Sequence, residues 1–173
     1  RMEVLIADVL ALSRVGREAR LAEPVNPTEL AGTLLEEMAE PIRRRGVKVS
    51  CGILPEVIGV RSQLQQVLGN LVGNAVKYLG EQPEPAIEIG AIDRGEQVEC
   101  FVADNGIGID PTYHEKIFDI FQRLKDVDVE GSGVGLAVVR KIVEASGGRA
   151  WVDSAPGVGA TFRFTWRRSP AGV

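Results

Sequence analysis

Apolar residues recur along this chain at two spacings, and the changes between them mark out its elements. In RMEVLIADVLALSRVG, Met2, Leu5, Val9 and Leu12 fall on one seam, as in a helix packed against other helices. Residues 18–24 follow as a linker. Asn26-Pro27-Thr28-Glu29 is a helix start, with Asn26 as cap, Pro27 in the first turn and Glu29 placed to reach back. That helix turns Leu30, Leu34, Leu35 and Met38 inward and frays near Arg43–Gly46. Residues 47–51 and 57–60 read as short strands. In RSQLQQVLGNLVGNAVKYLG, Leu64, Val67, Leu68, Leu71, Val72, Ala75, Val76 and Leu79 fill one broad face of a long amphipathic helix. Residues 86–93 and 97–104 alternate as strands, 134–146 are helical, and 149–153 with 160–166 form a hairpin around Pro156-Gly157. Without regular βαβ repeats, this succession predicts an α+β fold: a two-layer sandwich whose mixed sheet is covered on one face by helices.

Composition narrows the setting. At 173 residues and 45% hydrophobic, the chain can bury one main core. Residues 25–168 are read as its domain, 1–17 as a separate helix and 169–173 as a tail. The net charge of −4 argues against a surface that neutralises nucleic-acid phosphates, so no nucleic-acid partner is expected. No apolar run approaches a bilayer span and the start has no signal-peptide pattern, so no membrane contact and a cytoplasmic setting are expected. Cys51 and Cys100 sit in apolar, strand-like runs without CxxC spacing, and read as reduced core residues. His114 is the single histidine, which leaves little material for a histidine metal site or a serine–histidine triad.

Three features carry candidate chemistry. Gln66, Asn70, Asn74 and Lys77 form one stripe on the long helix. Two asparagines four apart are an unusual choice for a solvated face, because the amide competes with the helix backbone. An amide oxygen suits Mg²⁺ that keeps most of its waters; the alternative is a polar face that tolerates them. Asp104 ends a buried strand and needs a donor there, with Gly106 and Gly108 clearing space beside it. An Asp-Asn-Gly turn alone accounts for Asp104 and Gly106 but less readily for Gly108. Gly131, Gly133 and Gly135 precede a helix, so free backbone N–H groups and the positive helix end face whatever lies in front; a flexible hinge is the alternative. The spacing is neither a P-loop nor a dinucleotide fingerprint. Arg123 and Lys125, just upstream, are cations available to a phosphate.

The order of these features resembles the ATP-binding domain of sensor histidine kinases, in the superfamily shared with gyrase, chaperone and mismatch-repair ATPases. NLVGNAVKY looks like its N box, DNGIGI its G1 box, IFDIFQRL its F box and GSGVGLA its G2 box. The resemblance runs from about Val25 to Trp166 and implies the Bergerat-type ATP-binding fold. It implies that Asn74 holds Mg²⁺, with Asn70 beside it near the phosphates. Lys77 and Arg123 would contact phosphate oxygens, and Tyr78 would flank the adenine. Asp104 would accept the adenine amino group, with Gly106 and Gly108 making room and Thr161 supporting it through water. Gly131, Gly133 and Gly135 would end an ATP lid running from about Leu124 to Ser132. FQRL and GGRAWVDSAPGVGATF resemble the phytochrome-type members.

The resemblance also implies what lies elsewhere. The phospho-accepting histidine of the family stands on a dimeric helical bundle in an H-[ED]-x-x-x-P motif. His114-Glu115 has no such proline, so the acceptor is expected upstream of Arg1, with residues 2–15 as the end of the bundle's second helix. A homodimeric parent and a response-regulator receiver domain are the implied partners. The superfamily's hydrolysing members carry a glutamate where this chain has Asn70, and an amide cannot act as a base. Phosphoryl transfer to a histidine outside the chain is therefore the expected activity, with ATP and Mg²⁺. The alternatives are a superfamily ATPase or serine kinase, or a scaffold that has lost nucleotide; the scaffold would be expected to lack Asn74, Asp104 or the lid glycines.

Overall fold

A computed structural model of the chain describes residues 2–14, 21–123 and 131–170. Helix α1 (Met2–Arg14) runs beside a later helix, with Leu12 against the core and Ile6, Val9 and Leu10 exposed. The Met2 and Leu5 side chains of the seam, residues 15–20 and most of the lid lie outside the described residues. Glu23 and Pro24, read as linker, pair with Val25 in strand β1 (Glu23–Val25), antiparallel to β3 (Val57–Gly59).

Helix α2 (Pro27–Glu37) starts as its sequence dictates: the Asn26 side chain accepts from Thr28 N at 3.0 Å and Glu29 N at 3.4 Å. The single helix read through to Arg43 is two. Met38 breaks it and α3 (Ala39–Arg44) follows. Pro41 explains the break, because it lacks an N–H for the Glu37 carbonyl and its ring would collide with it.

The main sheet has the order β2-β4-β5-β7-β6, with β2 (Lys48–Cys51) parallel to β4 (Ala86–Asp93). Strand β5 (Gln97–Asp104), β7 (Gly159–Arg167) and β6 (Ala150–Ala155) complete it by antiparallel pairing. The sheet is therefore mixed, as expected. Because side chains alternate across a strand, register decides what shares a face. Ile89, Val102, Phe162 and Val152 lie in one cross-strand row, with Cys100 and Phe164 in another; all are buried. Helices α2, α4 (Arg61–Lys77) and α5 (Gly135–Ala145) close this face, through Leu64, Leu68, Leu71, Val138 and Ile142 among others.

Trp166 fastens the small sheet to the large one. Its ring is fully buried, its Nε1 donates to Ile58 O at 2.8 Å, and a Cβ at Gly59 would come 2.6 Å from that nitrogen. The opposite face of the main sheet covers itself. Phe101 lies over Gly90, Arg163 stacks 5.4 Å from the Phe101 ring, and buried Glu99 accepts from both Arg94 and Arg163. Pairing on both sides is what makes a buried carboxylate tolerable there.

The two cysteines part company. Cys100 is buried among core residues, which pushes its thiol up to about 12. Cys51, read as core, is exposed: β2 is an edge strand, largely exposed along its length. No helix among the described residues is long and apolar enough to cross a membrane.

Candidate functional site

Strand β5 runs from the core directly into the aspartate–glycine turn. Asp104 ends on the helix-facing side, between Ile87 of β4 and Ala160 of β7 in the register. Its Oδ1 accepts from Gly106 N at 2.8 Å. Burial pushes the carboxyl up to about 6, against the Gly106 and Ala160 N–H groups, which favour the charged form. A carboxylate so poorly solvated is an acceptor in want of a further donor.

The glycines of this turn are required by contact. A Cβ at Gly106 would lie 2.1 Å from Tyr78 O, and one at Gly108 would lie 1.9 Å from Ala155 O at φ +71°. Ile107 N donates to Tyr78 O at 3.0 Å and Gly157 N donates to Ile107 O at 2.8 Å. The turn is thus wedged between the end of α4 and the β6–β7 hairpin.

Helix α4 carries its stripe from this turn toward the second glycine cluster. Its C-terminal end and the turn beyond are gripped by Arg45, whose guanidinium donates to Val76 O and, at 2.9 Å, to Gly80 O. A Cβ on Gly131 would stand 3.8 Å from Lys77 Nζ, and one on Gly135 would stand 3.0 Å from Asn70 Oδ1. Asn74 sits one helical turn from Asn70, between these two approaches. Tyr78 feels the charge of Arg123, which lowers its hydroxyl pKa while burial raises it more strongly. Asn70, Lys77, Tyr78 and both glycine clusters are therefore gathered around one region.

Among the described residues helix α5 opens without a side-chain N-cap: Val134 precedes it, and Ser132 Oγ accepts from Val134 N at 3.3 Å. An uncapped helix start of this kind suits an anion. Phe121 N donates to Gly133 O at 2.8 Å, which joins the F box to the glycine cluster. Of the expected lid, residues 124–130 lie outside the described residues.

A magnesium–nucleotide ligand fits what these residues offer. Among the described residues, the buried Asn70 Nδ2 has no partner and α5 has no side-chain cap, and Asp104 is a desolvated acceptor. An amide oxygen, an ammonium and free backbone N–H groups are a donor set that fits a hydrated Mg²⁺ and phosphates.

Thr161 is not brought to the site. It pairs with Ala103 and Asp153, on the face opposite Asp104, while Ala160 takes the place beside the carboxylate. The signal was available: Phe162, Phe164 and Trp166 fix the parity of the buried side of β7, and Thr161 has the other parity. Thr161→Val is accordingly expected to leave ATP affinity within about twofold, read by titration calorimetry. Arg45, which braces the end of α4, belongs to none of the four motifs.

Residues 59–170 match the family described as histidine kinase-, DNA gyrase B-, and HSP90-like ATPase. The chain is 44% identical over 166 residues to the methanogenesis regulatory histidine kinase FilI of Methanothrix harundinacea, covering 95% of this chain and 19% of that protein. Cyanobacterial phytochrome A of Nostoc is 41% identical, with 95% of this chain and 21% of that protein covered. The chain thus spans about a fifth of the length of these two relatives. Among solved structures, full-length ShkA in complex with AMPPNP aligns with a TM-score of 0.80 at 31% identity, over 97% of this chain and 36% of that one. The nucleotide-free catalytic domain of histidine kinase ThkA gives 0.72 at 29% identity, over 87% of this chain and 99% of that one. A family match over most of the sequence, and agreement with a catalytic domain over nearly its whole length, place this chain in the histidine kinase-, DNA gyrase B-, and HSP90-like ATPase family, as the catalytic domain of a sensor histidine kinase.

Proposed function

We propose that this domain binds Mg²⁺-ATP between α4, the Asp104 turn and the start of α5, and transfers the γ-phosphoryl group to a histidine outside residues 1–173. The observation that carries the reading is the approach of both glycine clusters to α4, with Gly106 against the Tyr78 carbonyl and Gly131 and Gly135 near Lys77 and Asn70. Asp104 accepts the purine amino group. Asn74 is the residue that would hold the hydrated metal, which when bound offsets phosphate charge, with Asn70 beside it near the phosphates. Lys77, Arg123 and the free N–H groups of α5 orient the phosphate oxygens. As the N–P bond to the acceptor imidazole forms, the bond from the γ-phosphorus to its bridging oxygen breaks and ADP leaves. An amide at position 70 cannot deprotonate water, which favours transfer over hydrolysis.

In this reading α1 is the end of a helix from a histidine-bearing bundle of the same parent protein. The parent is a homodimer that passes the phosphoryl group to a response-regulator receiver domain. The test mixes this chain with the separately expressed bundle and γ-labelled Mg²⁺-ATP. Acid-labile, base-stable label on the bundle is expected, falling at least about tenfold with Asn74→Ala. Release of inorganic phosphate without labelling of the bundle would favour an ATPase instead.

A further inference from the structure

The turn that carries Asp104 is held on the β6–β7 hairpin by several contacts, and one of them is made by a side chain. Ser154 lies on β6, facing Ala160 and so in the same cross-strand row as Asp104. Its Oγ accepts from Ile109 N at 2.8 Å and donates to Gly159 O at 2.6 Å. A hydroxyl has a single proton, so these two bonds fix its direction: Ile109 N–H to Ser154, and Ser154 O–H to Gly159. Such a chain strengthens each of its members.

The two ends of this relay touch the two ends of the turn. Gly159, at φ +103°, packs against the Asp104 backbone, where a Cβ would come 2.0 Å from Asp104 O. Ile109 closes the other end, just beyond Gly108, which itself rests on Ala155 O. Residues 104–109 are thus pinned to the hairpin at start and finish, and the span between those pins fixes where Gly106 and Gly108 stand relative to the carboxylate. Alanine at 154 would leave the Ile109 N–H and the Gly159 carbonyl without this partner.

We infer that Ser154 is a positioning residue for the purine end of the site, setting the width of the Asp104–Ile109 turn through its bonds to Ile109 and Gly159. The inference rests on the nucleotide reading above and adds to it a residue outside the four motifs. It acts through the turn, without touching ligand.

The test compares Ser154→Ala and Ser154→Thr with the intact chain, titrating Mg²⁺-ATP, adenosine and magnesium tripolyphosphate. Ser154→Ala is expected to weaken ATP and adenosine by the same roughly three- to tenfold, the range of one ordinary net hydrogen bond. Tripolyphosphate affinity should stay unchanged, and threonine, which keeps the hydroxyl, should restore ATP to within about twofold. Equal binding of ATP and adenosine by Ser154→Ala and the intact chain would overturn the inference. So would a parallel loss of tripolyphosphate affinity, the mark of general loosening. Amide exchange gives a readout that needs no nucleotide. The Ile107 N–H, bonded to Tyr78 O, should exchange at least about tenfold faster in Ser154→Ala while α5 amides do not change. An unchanged Ile107 rate sinks the inference, whereas failure of the intact chain to bind any nucleotide sinks the site assignment instead.

Discussion

Asp104→Asn is expected to cost at least about a hundredfold in ATP affinity while leaving the nucleotide-free fold intact. The carboxylate is the acceptor assigned to the purine amino group, and a hydrogen bond to a charged acceptor is worth up to about 3 kcal/mol. An asparagine can also turn its own donor toward that amino group, which adds repulsion to loss. Competition against a fluorescent nucleotide would measure the drop. Folding responds in the opposite sense. The carboxyl rises from 3.8 to about 6 in the folded chain, so between those values the native state binds more protons than the unfolded one. Its contribution to stability is therefore greatest below pH 4 and declines as pH rises toward 6, reaching a cost of about 3 kcal/mol at neutral pH. The asparagine variant has no such titration, so this part of the pH dependence should vanish from its urea denaturation curves. ATP binding by the intact chain has the reverse dependence, weakening as pH falls through about 6 and the acceptor becomes protonated.

Gly108→Ala is expected to disable the site by a different route. At φ +71° an L side chain costs about 1–2 kcal/mol, and here the new Cβ would also lie 1.9 Å from a backbone carbonyl oxygen. Neither partner is the flexible end of a side chain, so the turn or the hairpin must move. A loss of about 3 kcal/mol or more in stability and an undetectable ATP affinity are the expected results, by thermal denaturation and calorimetry. Gly32→Ala is the control. In the middle of α2 its Cβ meets nothing within 4 Å, and the change should stabilise by about 0.5–1 kcal/mol. Equal effects of the two substitutions would mean that the glycines of the turn are incidental.

Much of this arrangement was legible in the sequence because local rules were strong. The Asn26-Pro27 start, the apolar face of α4 and the alternation of β4 and β5 each follow from a period or a cap, and the helices and strands stand where those rules put them. The errors fall where a neighbour decides. Met38 ends α2 because of a proline three residues later, a boundary that helical spacing alone does not register. Cys51 is apolar by context yet exposed, since which strand becomes an edge depends on the whole sheet order. Thr161 was assigned through a motif, and one position of register places it on the wrong face. Ser154 and Arg45 have no local signature at all: each acts on a backbone group distant in sequence, 45 residues away at Ile109 and 31 away at Val76.

The central claim is where nucleotide sits, and an amide-resolved NMR titration with Mg²⁺-AMPPNP tests it most directly. The expected shifts fall on Gly106 and Gly108 at one end and on Gly133 and Gly135 at the other, with the Asn70 and Asn74 side-chain amides between them. A hollow of about 600 Å³ lies at the far end of the sheet, lined by Gln97, Ser146 and Arg167 among others. Shifts confined to that hollow, with both glycine clusters silent, would contradict the account.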